Sequence, residues 1–242
     1  MNMVQANCRV QFTAEDIEFI LNVLRPKVDS RECLVQLLAD EESRDLVLDN
    51  EALLHAILEH RNCLRISTHF YFYILVRHVF RRSGIDQRKV ADYVAEMLSD
   101  FSNAEQMQLR AGEHGKPLDY FFEMLSALHA ADDTTRFFIR AHIGNHSLFL
   151  SGVFPDRIRH RAEFKGAPDL KYYEELGSAS YRAARDHRLA FKYDVAEVFD
   201  ILGERFQTTR RALNDLGERL ITIGDVDSAV SLMLKTSLNL GL

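Results

Sequence analysis

Proline and cysteine are both scarce in this chain of 242 residues. Only four prolines (Pro26, Pro117, Pro155 and Pro168) and 11 glycines interrupt it, so long helices can run unbroken. The three cysteines, Cys8, Cys33 and Cys63, are odd in number and widely separated, with no Cys-x-x-Cys pair. That spacing argues against a disulfide framework or a thiolate zinc site and fits a reducing interior. Long apolar runs are missing as well. The most membrane-like stretch, FYFYILV at 70–76, ends at Arg77 and His78, far short of the roughly 20 residues that cross a bilayer. The start, MNMVQANCRVQF, has no apolar core of signal-peptide length. A cytoplasmic protein without membrane contact is therefore expected.

Familiar catalytic signatures are absent too. There is no G-x-S-x-G elbow, no G-x-x-x-x-G-K-[ST] phosphate loop, no H-E-x-x-H metalloprotease pattern and no Glu-x-x-His of the di-iron bundle type. Basic charge is thin at the front: residues 1–60 hold five Lys/Arg against twelve Asp/Glu, so they account for more than the whole net charge of −6. Such an end repels nucleic acid, which is not an expected partner.

What is present is helical periodicity. TAEDIEFILNVLRP opens on Thr13 as an N-cap, and Ser30, Asp40 and Asn50 offer caps to three more short amphipathic segments. THFYFYILVRHVFRR reads as a largely buried central helix. A polar, glycine-containing loop covers 102–117, and further helices are expected near 118–130, 133–153, 155–164, 170–187, 189–205 and 207–222, with a last amphipathic piece, DVDSAVSLMLKTSL. No stretch alternates with period two. The chain reads as an all-α multi-helix bundle, short N-terminal helices packed on longer central and C-terminal ones. It forms one helical domain over 1–242, and the 102–117 loop is where it would divide into subdomains 1–101 and 118–242.

The segment RAHIGNHSLFLSG, residues 140–152, carries the one unusual constellation. On a helical wheel His142 and His146 fall about 40° apart, in the middle of an apolar arc, because residues four apart share a face. Two such imidazoles can grip a metal ion or serve a haem, with Glu174, Glu175 or Asp186 as carboxylate donors from another helix. The plainer reading makes them neutral core or interface histidines bonded to Tyr, Ser or backbone groups. His69, on the same side of its helix as Tyr73, Val76 and Phe80, is a candidate third imidazole.

Small residues add a second signal. Tyr173, Leu176, Gly177, Ser180, Ala183 and Ala184 share one helical face, and Gly144, Ser147 and Ser151 form a small stripe on the 140 helix. A mid-helix glycine costs about 1 kcal/mol relative to alanine, so each calls for close packing or a ligand. If the two stripes meet, Tyr181 or Tyr173 comes within reach of Asn145. The basic segment PDRIRHRAEFKGAPDLK, at plus 2, lacks the density of a nucleic-acid patch and reads as a solvated helix face, with contact to a phosphate or an acidic partner as the alternative.

Three functions remain in play. The first is a non-enzymatic interaction or regulatory protein that binds another protein or itself and needs no cofactor. The second is a metal- or haem-dependent redox enzyme built on His142 and His146. The third is a small-molecule sensor with a pocket drawn from His142, Asn145, His146, Tyr181 and His69.

Overall fold

In a computed structural model, residues 3–24, 28–59, 65–102, 109–110, 117–118 and 120–222 are described. They form an all-α bundle. A short 3-10 turn, Cys8–Gln11, precedes α1 (Ala14–Leu24), α2 (Val28–Ala39), α3 (Glu41–Leu48), α4 (Glu51–Glu59), α5 (Thr68–Arg82) and α6 (Arg88–Phe101). Within the expected loop, Leu109–Arg110 (β1) pairs antiparallel with Pro117–Leu118 (β2), Leu109 opposite Leu118. Then follow α7 (Phe121–Ala130), α8 (Asp133–Val153), α9 (Pro155–Lys165), α10 (Leu170–Arg185), α11 (Arg188–Lys192), α12 (Ala196–Glu204) and α13 (Phe206–Thr222). The amphipathic piece DVDSAVSLMLKTSL lies outside the described residues. No helix among those described is long and apolar enough to cross a membrane.

The caps explain most of the boundaries. Thr13 and Asp16 cap α1 reciprocally: Thr13 Oγ1 accepts from Asp16 N–H, and Asp16 Oδ2 accepts from Thr13 N–H at 2.7 Å. Asp16, buried, also accepts from the backbone and hydroxyl of Ser67, each at 2.7 Å, and so ties α1 to the start of α5. Asp40 caps α3, and Asn50 accepts from Ala52 N–H ahead of α4. Ser30 does not cap α2, which begins two residues earlier, at Val28.

One expected helix is two. The 189–205 segment breaks between α11 and α12 because Asp194 sits at φ 55°. Val195 N–H reaches Ala190 O and Asp194 N–H reaches Phe191 O, which closes a Schellman cap. Gly84, at φ 74°, closes α5 in the same way, with Ile85 N–H on Phe80 O and Gly84 N–H on Arg81 O. Aspartate tolerates the left-handed region better than most residues, so the stop at 194 carries no glycine to announce it.

The central element is α8. It packs on α10 and α13, α5 packs on α6 and α13, and α12 closes over α10. One apolar cluster, with Phe70, Tyr73, Tyr93, Phe149, Tyr181 and Phe199 among its members, draws residues from both sides of the 102–117 stretch. Around the junction of α3 and α4, one buried arginine, Arg77, and two half-buried ones, Arg9 and Arg88, meet carboxylates. Arg77 contacts Asp49 and Asp86, Arg88 contacts Asp49, and Arg9 contacts Asp45 and Asp92. Burying these cations is tolerable because each has its counter-charge within reach.

Candidate functional site

The 140 helix runs unbroken through Gly144, and the two small-residue stripes meet. A Cβ on Gly144 would come within 2.8 Å of the Tyr181 ring. One on Gly177 would come within 2.8 Å of Ser147 Cβ and 2.4 Å of the Phe206 ring. Glycine is required at both because α8 and α10 leave no room for a methyl group.

This close approach assembles a polar knot. Tyr181 donates its hydroxyl proton to Asn145 Oδ1 at 2.8 Å, and Tyr93, from α6, donates to the same oxygen at 2.9 Å. All three residues are buried. Burial pushes both phenols up, so they remain donors. Two hydroxyls on one amide oxygen satisfy both lone pairs and leave no free acceptor. Asn145 and Tyr181 thus form a cross-brace between α8 and α10. Tyr93 went unnoticed in the sequence, since nothing local links position 93 to position 145.

His142 and His146 stand edge to face, ring centroids 5.7 Å apart. Phe101 lies 5.9 Å from the first and 6.2 Å from the second, and Phe121 lies 5.2 Å from His146. His142 is half-buried, yet its Nε2 is closed off from solvent without a partner. His146 is 3% exposed, and neither of its ring nitrogens has a hydrogen-bond partner among the described residues. Burial pushes the His142 imidazole down to about 3, with His146 assisting, and that of His146 down to about 4. Both rings are therefore neutral at physiological pH. Among the described residues, the partners expected for them from Tyr, Ser or backbone groups are not found at His146, whose one N–H and one lone pair are left over there.

The carboxylates named as possible metal donors are committed elsewhere. Glu174 accepts from Arg210 at 2.7 Å, Glu175 pairs with Lys171, and Asp186 pairs with Arg185. Among the described residues no group of three or more His, Cys, Asp or Glu side chains is arranged to hold a metal ion. His69 is not a third imidazole. It faces α6, where its Nε2 lies 3.5 Å from Glu96 Oε2, and its backbone oxygen accepts from Cys8 Sγ.

Beside His146 a cavity of about 230 Å³ opens between α7, α8, α9 and the start of α10. Its wall is mostly apolar and aromatic, with Phe121, Leu150, Phe154, Ile158 and Tyr173 around the imidazole. Tyr120, Phe122 and Tyr172 line it as well and are exposed, and Tyr120 and Phe122 stack at 5.5 Å. Arg157 and Arg161 supply the charge. This corrects the reading of 155–171 as a solvated face. Arg159 is exposed and pairs with Asp156, whereas Arg157 and Arg161, one turn apart, are half-buried and line the cavity. Their spacing of four was the available signal, but only the docking of α9 against α7 and α10 shows where that face points.

Of the five sequence candidates, then, one lines this cavity. His146 does so; His142 stacks beside it, Asn145 and Tyr181 form the brace, and His69 lies with Glu96. No protein-family model matches the chain, and comparison with curated proteins and with solved structures finds no match.

Proposed function

We propose that this protein binds a small molecule whose apolar body occupies the cavity beside His146. The observation that carries this reading is the imidazole itself. A side chain 3% exposed, with neither ring nitrogen partnered among the described residues, borders an open apolar space. A buried polar group without a partner costs about 1–3 kcal/mol; both nitrogens lie just below the cavity surface, so a small turn of the ring would let an occupant with one suitably placed polar atom recover part of that. The size is suitable, since an apolar cavity of about 150 Å³ already takes benzene. The exposed rings of Tyr120, Phe122 and Tyr172 gather at the same place, where an occupant would cover them. Among the described residues the wall offers one neutral imidazole, two guanidiniums and three tyrosine rings but no carboxylate, thiol or serine hydroxyl, and binding rather than turnover is the function put forward. A sensor or carrier role is consistent with it.

The uncharged fluorophore N-phenyl-1-naphthylamine tests the reading. Its emission should rise on mixing with the protein. The rise should disappear in Ala167→Trp, which fills the mouth from the segment between α9 and α10, and in Leu150→Trp, which fills the wall. Ala167 is half-exposed, so the first variant keeps its fold if the second does not. No rise with the unaltered protein, or an equal rise with a folded Ala167→Trp, would refute the assignment.

A further inference from the structure

Several of the buried or half-buried arginines in this protein have a carboxylate to meet. Arg9 has Asp45 and Asp92, Arg77 has Asp49 and Asp86, Arg88 has Asp45 and Asp49, and Arg210 has Glu174. Arg157 and Arg161 have no ion-pair partner among the described residues, which is also true of the half-buried Arg44, Arg140 and Arg205; what sets these two apart is that they lie together in the wall of the cavity. The Nε of Arg161 is sealed from solvent and has no hydrogen-bond partner among the described residues. Burial and the neighbouring Arg161 charge also lower the Arg157 pKa, as expected for two cations held together in a partly dry place. The nearby acids do not answer them. Asp156 pairs with Arg159, Asp169 caps α10 by accepting from Tyr172 N–H, and Glu163 is exposed.

Two uncompensated guanidiniums one turn apart, at the wall of an aromatic cavity, form half of an ion-pair site. Guanidinium groups favour planar oxyanions because several N–H donors can be met at once. We infer that the ligand is an organic carboxylate with an aromatic or short aliphatic body. Its headgroup docks on Arg157 and Arg161, and its body lies among Phe121, Leu150, Phe154 and Tyr173 against His146. The inference rests on the proposed binding role of the cavity and adds the charge and class of the occupant. An acidic protein of net charge −6 repels anions at long range, so a local pair of free cations is the feature that would select one.

Isothermal titration of the full chain with three molecules sharing one body separates the two claims. These are 4-phenylbutyrate, 4-phenyl-1-butanol and 4-phenylbutylamine. The acid should bind one per chain, the alcohol at least tenfold more weakly, and the amine not measurably. Arg157→Gln and Arg161→Gln should each weaken the acid at least tenfold and leave the alcohol unchanged, with Arg161→Lys in between. Circular dichroism melting confirms that each variant is folded. Added salt should weaken the acid alone. Equal binding of acid and alcohol, or acid binding indifferent to both glutamine variants, overturns the carboxylate inference and leaves the cavity reading standing. Binding of none of the three, or binding unaffected by Ala167→Trp, overturns both.

Discussion

Tyr181 and Tyr93, 88 positions apart in sequence and on different helices, give their hydroxyl protons to the same oxygen of Asn145, at 2.8 and 2.9 Å. The brace joins α6, α8 and α10 at the centre of the protein. Asn145→Ala leaves two buried hydroxyls without an acceptor and should cost about 3 kcal/mol, whereas Tyr181→Phe removes one donor and should cost about 1 kcal/mol. Urea unfolding measures both. Equal, small losses would mean that the hydroxyls find other partners.

The buried histidines make the protein acid-sensitive in a defined window. An imidazole of the unfolded chain titrates near 6.5, while those of His142 and His146 are pushed down to about 3 and about 4 in the folded state. Below pH 6.5 the unfolded chain takes up protons that the folded chain refuses. Stability is therefore complete above 6.5 and falls from there towards pH 4, by up to about 1.4 kcal/mol per pH unit for each histidine. His78, lowered by burial, adds in the same direction, and His69, raised by the Glu96 carboxylate beside it, opposes it. Comparing the unaltered protein with His142→Phe removes these common contributions. The variant should show a shallower loss between pH 6.5 and 4.5 in urea unfolding, and parallel profiles would contradict the neutral buried pair.

Asp100 predicts the opposite behaviour. Burial, aided by the Glu96 charge, pushes its carboxyl up to about 6 from an ordinary value of 3.8. Between those two values the unfolded chain has released a proton that the folded chain still holds, so stability declines as pH rises. Asp100→Asn should then stabilise the protein at pH 7 by about 1 kcal/mol, allowing for the group's partial contact with solvent, and should make no difference at pH 3.5. Melting temperatures at the two pH values are sufficient to check it.

Gly177 tests the packing of α8 on α10. In an open helix, Gly→Ala stabilises by about 1 kcal/mol. Here the new methyl group would sit 2.4 Å from the Phe206 ring and 2.8 Å from Ser147 Cβ, so Gly177→Ala should destabilise by about 2 kcal/mol net. Trimming the obstacle in Phe206→Leu should relieve part of the clash, which a double-mutant cycle would show as coupling between the two positions.

The same glycines show what could be read from the sequence. Gly144, Gly177 and their small neighbours recur at helical spacing, which points to a close approach of the two helices; the packing of α8 on α10 and the place of Tyr181 beside Asn145 come from the structure. The limits of α8 were legible because Asp132 caps its start and Pro155 follows its end. The break at Asp194 was not, since an aspartate took the left-handed position that glycine usually marks. The inward placing of His146 was legible from its wheel position, but the cavity beside it was not. A cavity is set by how far four helices stand apart, and no single helix encodes that. For the same reason Arg157 and Arg161 read as surface charge: their one-turn spacing is visible, whereas the wall they face is built by residues from α7, α8 and α10.

The account depends on the cavity beside His146 being occupied through its imidazole and the two arginines. The most direct measurement is a long-range nitrogen–proton NMR spectrum of the ring and guanidinium nitrogens, recorded with and without saturating 4-phenylbutyrate. The signals of His146 and of Arg161 Nε should move together, with the Asn145 side-chain amide unchanged and His146 neutral throughout. Unmoved His146 and Arg161 signals at saturation, or shifts confined to residues away from the cavity, would contradict it.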